Sequence, residues 1–323
     1  MRGAIGDTQA EAIGVDIGGT KCLAVAVRAG VVIAECRLPT PATPDGLVDT
    51  VLEVVSSIRC DVPAFAHAPV GVGAPGLVDD TGTLRFAPHL PEVRELALRD
   101  LLVTQLGPRL IVENDATCAA WAESRLGAAT GRTHVLMVTI GTGIGGGIIA
   151  DGYLQRGRHG FAGEIGHMVV DPGGPRCPCG QSGCWERYAS GSGLGWMARE
   201  AAQAGVGRRM VDLAGGDPER VRGEDVTVAA AEGDREARAV LARFAWWLAL
   251  GLANLANALD PELIVLGGGI VEAGPVLLKP AREAFARLLE GASHRPAVPI
   301  VVAALGERAG AVGAALRAQG SES

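Results

Sequence analysis

The chain of 323 residues is short of positive charge: 29 Lys and Arg stand against 36 Asp and Glu, a formal net charge of -7. Nucleic-acid backbones are gripped by clustered Lys and Arg, so this balance excludes a broad nucleic-acid surface. A small anion held by backbone amides is still allowed. A disulfide framework is also missing. Of seven cysteines, Cys22, Cys36, Cys60 and Cys118 are scattered through apolar or strand-like sequence, the pattern of reduced thiols in a cytoplasmic protein. No basic stretch leads into an apolar run over residues 1–11, which are expected to be a frayed end and not a leader. Long apolar runs are scarce too. Only residues 239–259 approach the roughly 20 that span a bilayer, and Arg243, Asn254, Asn257 and the stop at Asp260-Pro261 make a buried helix the expectation. No membrane partner is expected.

What is present is an ordinary soluble composition, 48% hydrophobic and 20% charged, long enough for one large or two medium domains. Apolar spacing predicts helices over 44–58, 92–106, 116–126, 275–289 and 309–318, interleaved with strands at 69–73, 109–112, 135–140, 263–270 and 298–303. Residues 208–224, charged and Gly-rich, read as a surface loop. Alternating strands and helices predict an α/β protein with a mixed sheet.

Two stretches share one design. Residues 13–17 form a short apolar strand, Gly18-Gly19-Thr20 turn it, and strands follow at 22–27 and 31–36. About 125 residues later the strand 135–140 is turned by Gly141-Thr142-Gly143 into 144–149. Glycines leave amides free to approach phosphate, Lys21 adds a cation, and Asp16 suits a hydrated magnesium ion. A pair of such hairpins is the device by which actin-like and hexokinase-like folds clamp ATP between two domains. At Gly267-Gly268-Gly269 a third strand runs into glycines with no charge for phosphate, a place for adenosine.

Two further motifs carry chemistry. Cys177, Cys179 and Cys184 lie within eight positions, starting ten residues after His167, and together with that imidazole could supply the four ligands of a structural, tetrahedral zinc site; the alternative is three reduced thiols in a surface loop. Glycines at 180 and 183 allow the tight turns that would bring the sulfurs together. The strand ending at Val112 delivers Glu113-Asn114-Asp115 to its carboxyl end, where ligands collect in open α/β sheets, although Asp is equally at home as a helix N-cap.

Together these residues resemble the ROK family of sugar kinases (repressor, open reading frame, kinase), and within it the bacterial glucokinases. The resemblance covers residues 13–316 and rests on Asp16-Ile-Gly-Gly-Thr-Lys21, Gly73-Ala-Pro-Gly76, Glu113-Asn-Asp115, Ile140-Gly-Thr-Gly-Ile-Gly-Gly-Gly147, Gly163-Glu-Ile-Gly-His167, the Cys177–Glu186 segment and Leu266-Gly-Gly-Gly269. It implies a two-domain actin-like ATPase (ribonuclease H-like) fold with an interdomain active-site cleft. The expected smaller domain takes 1–114 with about 305–323, and the larger 115–304. It further implies phosphoryl transfer from ATP with Mg²⁺ to a hexose, glucose first, with Asp115 as general base and Asn114, Glu164, His167 and Glu186 on sugar hydroxyls. The zinc ligands would be His167, Cys177, Cys179 and Cys184, and a homodimer or homotetramer is implied.

One position departs from the pattern. Where glucokinases of this family commonly read Ala-Pro-Asn-Leu, Ala87-Pro88-His89-Leu90 places His89 against the sugar. A cyclitol, mannose or an N-acylmannosamine is therefore an alternative acceptor, and polyphosphate an alternative donor. A sugar-sensing regulator is the alternative of another class, but only about a dozen residues precede the first strand, too few for a DNA-binding domain, and the intact Asp115 and glycine turns favour catalysis.

Overall fold

The computed structural model describes residues 11–87, 90 and 92–320, so His89 lies outside the described residues. In chain order the elements are β1 (Glu11–Ile17), β2 (Lys21–Arg28), β3 (Val31–Pro39), α1 (Pro44–Asp61), β4 (Val70–Ala74), β5 (Leu77–Val78), β6 (Leu84–Phe86), β7 (Arg94–Leu96), α2 (Leu98–Leu106), β8 (Leu110–Asn114) and α3 (Asp115–Leu126). Then follow β9 (Val135–Ile140), β10 (Ile144–Ala150), β11 (Tyr153–Leu154), α4 (Glu186–Ala189), α5 (Gly191–Gln203), α6 (Arg208–Leu213), α7 (Gly223–Ala231) and α8 (Arg235–Leu259). The last are β12 (Leu263–Gly267), α9 (Pro275–Leu288), β13 (Ile300–Val302) and α10 (Ala309–Gln319).

The chain forms two compact units. One takes Met1–Met137, Gly146–Gly163 and Ala303–Ser323, the other Val138–Gly145 and Glu164–Val302. The boundary expected after Asn114 falls inside the first unit, because α3 packs on α10 and the two helices share one core with β1 and β2.

In the first unit the sheet order is β3-β2-β1-β4-β8, antiparallel at β1–β2–β3 and parallel at β1–β4–β8. One face is covered by α1, whose buried residues Leu47, Val51, Val54, Val55 and Ile58 fall on one helical stripe; Thr43 caps it by accepting from the Gly46 amide at 3.3 Å. The other face carries α10. A Cβ at Gly14 would lie 1.8 Å from the Ala311 oxygen, and one at Gly71 1.9 Å from that of Ala314, so the helix rests directly on the backbone of β1 and β4. Only glycine permits that approach.

The other five-stranded sheet has the order β11-β10-β9-β12-β13. In the second unit α8 is long and apolar enough, by length and composition, to cross a membrane, but it buries Leu241, Phe244, Leu248 and Leu252 as a core helix. Two expectations are corrected. Residues 94–96 pair with β6, so the helix predicted from 92 begins at Leu98. The loop predicted over 208–224 contains α6 and the start of α7, whose apolar residues Met210, Val226, Ala229 and Ala230 are buried. Tertiary burial of a few small or flexible side chains outweighed a polar, glycine-rich composition.

Candidate active site

In the first unit the parallel register places Asp16 beside Gly73, and Gly73 beside Glu113. Asp16 and the Glu113-Asn114-Asp115 segment thus sit at the same carboxyl edge of the sheet, where open α/β folds gather ligands. Asn114 is the N-cap of α3: its Oδ1 accepts from the Thr117 amide at 2.9 Å, and its Nδ2 donates to the Gly76 carbonyl at 3.1 Å. The side chain expected on a sugar hydroxyl therefore also ties the Gly76 loop to the helix.

Asp115 opens α3, accepting from the Ala116 amide at 2.8 Å. Its side chain keeps partial solvent exposure, but protein atoms crowd it closely enough that desolvation raises its pKa to about 6, against the pull of the backbone amides. Asp16 rises further, to about 7, first through burial and then through the negative charge of Asp115, with Lys21 opposing. Two mutually repelling carboxyls at one edge favour a cation.

Glu113 has a different role. It is buried and held by Arg156 at 2.5 Å, with Arg317 at 3.8 Å, an ion pair that anchors the end of β8; burial still raises its pKa despite both arginines. The hairpin turn is fixed by the Gly18 amide donating to the Lys21 carbonyl at 3.0 Å and by the Thr40 hydroxyl donating to the Gly18 carbonyl at 2.8 Å, while Gly19 and Thr20 are exposed. Lys21 pairs with Glu307, which also takes Arg37 at 2.5 Å.

In the second unit the cysteine segment folds as a knuckle. The Cys177 amide donates to the Gln181 carbonyl at 2.8 Å and the Gly180 amide to the Cys177 carbonyl at 3.0 Å, with Gly180 and Gly183 at φ 98° and 70°. One ligand atom from each of His167, Cys177, Cys179 and Cys184 lies within 4.8 Å of all the others. His167 Nδ1 is 3.7 Å from Cys177 Sγ, and the sulfurs of Cys179 and Cys184 are 3.6 Å apart. A zinc ion with bonds of about 2.0–2.3 Å needs ligand separations of roughly 3.5–3.8 Å, so the residues fit it. Burial raises the thiol pKa of Cys177 and Cys184, so a cation is what would hold them as thiolates. The sequence also brings the expected sugar-reading groups here: Glu164 lies 3.9 Å from His167 Nε2, and Glu186, at the start of α4, lies 3.7 Å from its Nδ1 and accepts from the Cys177 thiol at 3.1 Å.

A cavity of about 1090 Å³ also lies in this unit, lined by Gly141 and Thr142 of the β9–β10 turn, by Ser192, by Arg222, Gly223 and Thr227, and by Gly269. Ser192 donates to the Thr142 carbonyl at 2.8 Å and the Gly191 amide to the Gly141 carbonyl at 2.8 Å, which seats the turn on the start of α5. Gly143 closes the turn by accepting from the Gly141 amide at 3.0 Å. Gly268, at φ 86° beyond Gly267, would bring a Cβ within 2.3 Å of the Ile140 oxygen. Ser192 and the residues of α7 escaped the sequence reading. The signal for Ser192 was the Ser190-Gly-Ser-Gly start of a helix, capped by Ser190; that for α7 was the spacing of Val226, Ala229 and Ala230.

Hairpins turned by glycines at the head of each α/β half belong to the actin-like ATPase fold, and comparison with known proteins makes the class a carbohydrate kinase. The chain is 40% identical over 307 residues to a glucokinase of Streptomyces coelicolor, covering 94% of this chain and 96% of that protein. It is 34% identical over 316 residues to an N-acetylmannosamine kinase of Salmonella heidelberg, covering 95% and 98%. Among solved structures it is similar to a ROK family glucokinase from Streptomyces griseus in complex with glucose and AMPPNP, with TM-score 0.83 and 40% identity over 94% of this chain and 98% of that one. The ROK family model matches residues 12–321, and the chain belongs to the ROK family.

Proposed function

We propose that the protein transfers the terminal phosphoryl group of ATP to glucose, forming glucose 6-phosphate, with Asp115 as the general base. The observation that carries this is Asp115 itself: a carboxyl at the edge where ligands gather, with a pKa near 6, ionised at neutral pH yet basic enough to take a hydroxyl proton. The 40% identity to a glucokinase, and a similar structure that binds glucose and AMPPNP, support the choice of acceptor and donor.

Phosphoryl transfer asks the protein mainly for position and charge neutralisation. Asp115 would accept the proton of the attacking hydroxyl, while Asn114, Glu164, His167 and Glu186 hold other sugar hydroxyls. Amides of Gly19 and Thr20 and of Thr142 and Gly143 would take the phosphates, on turns that the Gly18 and Gly141 amides close, with adenosine in the cavity beside Gly269. Magnesium, held through water by Asp16, would supply positive charge to the phosphates, and zinc would brace the loop that carries His167 and Glu186.

A second reading, transfer to an N-acylmannosamine, is favoured by the 34% identity to an N-acetylmannosamine kinase. A coupled assay of ATP consumption over glucose, mannose, N-acetylmannosamine and cyclitols decides between them. The proposal expects kcat/KM for glucose to exceed the others, and it fails if N-acetylmannosamine leads or if no sugar is turned over.

A further inference from the structure

Glu123 is a fully buried carboxylate that the proposed chemistry does not use. It lies on α3 a little over two turns beyond Asp115. Its Oε2 accepts from the Ala128 amide at 2.7 Å and from the Ala304 amide at 3.1 Å, and its Oε1 accepts from the Leu305 amide at 2.8 Å. Backbone amides are thus its hydrogen-bond donors, and the chain is moulded to it: a Cβ at Gly127 would stand 2.0 Å from Oε2.

The segment it holds leads into α10. Four residues after Leu305 the helix begins, and Gly310 abuts the other edge carboxyl so closely that a Cβ there would lie 2.6 Å from Asp16 Cγ. The helix that carries Asp115 is therefore bonded, through Glu123, to the segment at Ala304 and Leu305 that leads into the helix pressing on Asp16.

We propose that Glu123 is a positioning residue for phosphoryl transfer, fixing α3 against the start of α10 and so the placement of Asp115 relative to Asp16. The inference rests on the reading of Asp115 as the base. A glutamine at 123 would keep one acceptor but turn an NH₂ toward an amide N–H, breaking part of the nest with little change of volume. Gly127→Ala would displace the same carboxylate sterically and leave the charge in place.

The test compares Glu123→Gln and Gly127→Ala with Asp115→Asn and with Leu102→Ala, a buried substitution on α2. Steady-state kinetics with ATP and glucose are measured per folded protein, alongside melting temperature. Misplacement of reacting groups by about 1 Å costs up to ~100-fold, so kcat in Glu123→Gln and Gly127→Ala should fall between about 10- and 100-fold, with KM for glucose within about twofold. Leu102→Ala should lose stability and keep kcat. If Glu123→Gln does not fold, Gly127→Ala decides. The proposal is overturned if kcat per folded molecule stays within about twofold of the parent in Gly127→Ala or in folded Glu123→Gln, or if Leu102→Ala loses kcat equally. Full turnover in Asp115→Asn would instead sink the assignment of the base.

Discussion

The carboxyl edge around Asp16 and Asp115 and the cysteine knuckle around His167 are built on opposite principles. At the edge, strands far apart in sequence bring two acidic groups together, and burial then works against their charge, raising one pKa to about 7 and the other to about 6. At the knuckle, the three cysteines come from eight consecutive residues, with His167 ten residues ahead of Cys177, and their ligand atoms stand at metal-binding separations. The edge gathers carboxyls at a cost in stability, whereas the knuckle would gain stability if a cation neutralised its thiols.

Removing the metal should break the contrast most severely. Structural zinc supplies ~10–16 kcal/mol in small sites, so chelation, or Cys179→Ser, should lower the melting temperature sharply and raise KM for the sugar, with about one zinc lost per chain by atomic absorption. Metal-free protein with unchanged melting and kinetics would show that the cysteines are only thiols.

At the edge, Asp115→Asn should lower kcat by ~10²–10⁴-fold with sugar affinity nearly intact, measured by turnover and by sugar titration. The linkage sign follows from raised pKa values. Protonation of Asp115 and Asp16 favours the unliganded fold at low pH, and that stability is lost as pH rises through about 6 and 7. Asp115→Asn should therefore melt no lower than the parent above pH 7, although it is nearly inactive. In the parent, kcat/KM should fall about tenfold per pH unit below about 6 as the base of the free enzyme takes up a proton. A flat profile down to pH 5 would remove Asp115 from that role.

A smaller effect is expected from Gly71→Ala, which drives a Cβ toward the Ala314 oxygen, now 1.9 Å from its ideal place. The strain should cost about 1–3 kcal/mol in urea unfolding. The smallest belongs to Glu307→Gln, which releases Lys21 and Arg37 at an exposed position; the melting temperature should barely move, and KM for ATP reports whether the freed Lys21 reaches phosphate.

Much of this molecule was determined by local sequence. The two glycine-turned hairpins, the stripe of α1, the buried α8 and the spacing of Cys177, Cys179 and Cys184 each depend on neighbours a few residues away, where steric preference and periodicity act. Tertiary structure decided what depends on distant partners. It made helices of residues 208–213 and 223–231, paired 94–96 as a strand, set Lys21 against Glu307, and gave Glu113 to Arg156 and Glu123 to the amides of Ala304 and Leu305. The physical reason is common to all: a charge or a short polar helix acquires its role from what desolvates and neutralises it, and in this fold those groups arrive from as far as 286 residues along the chain.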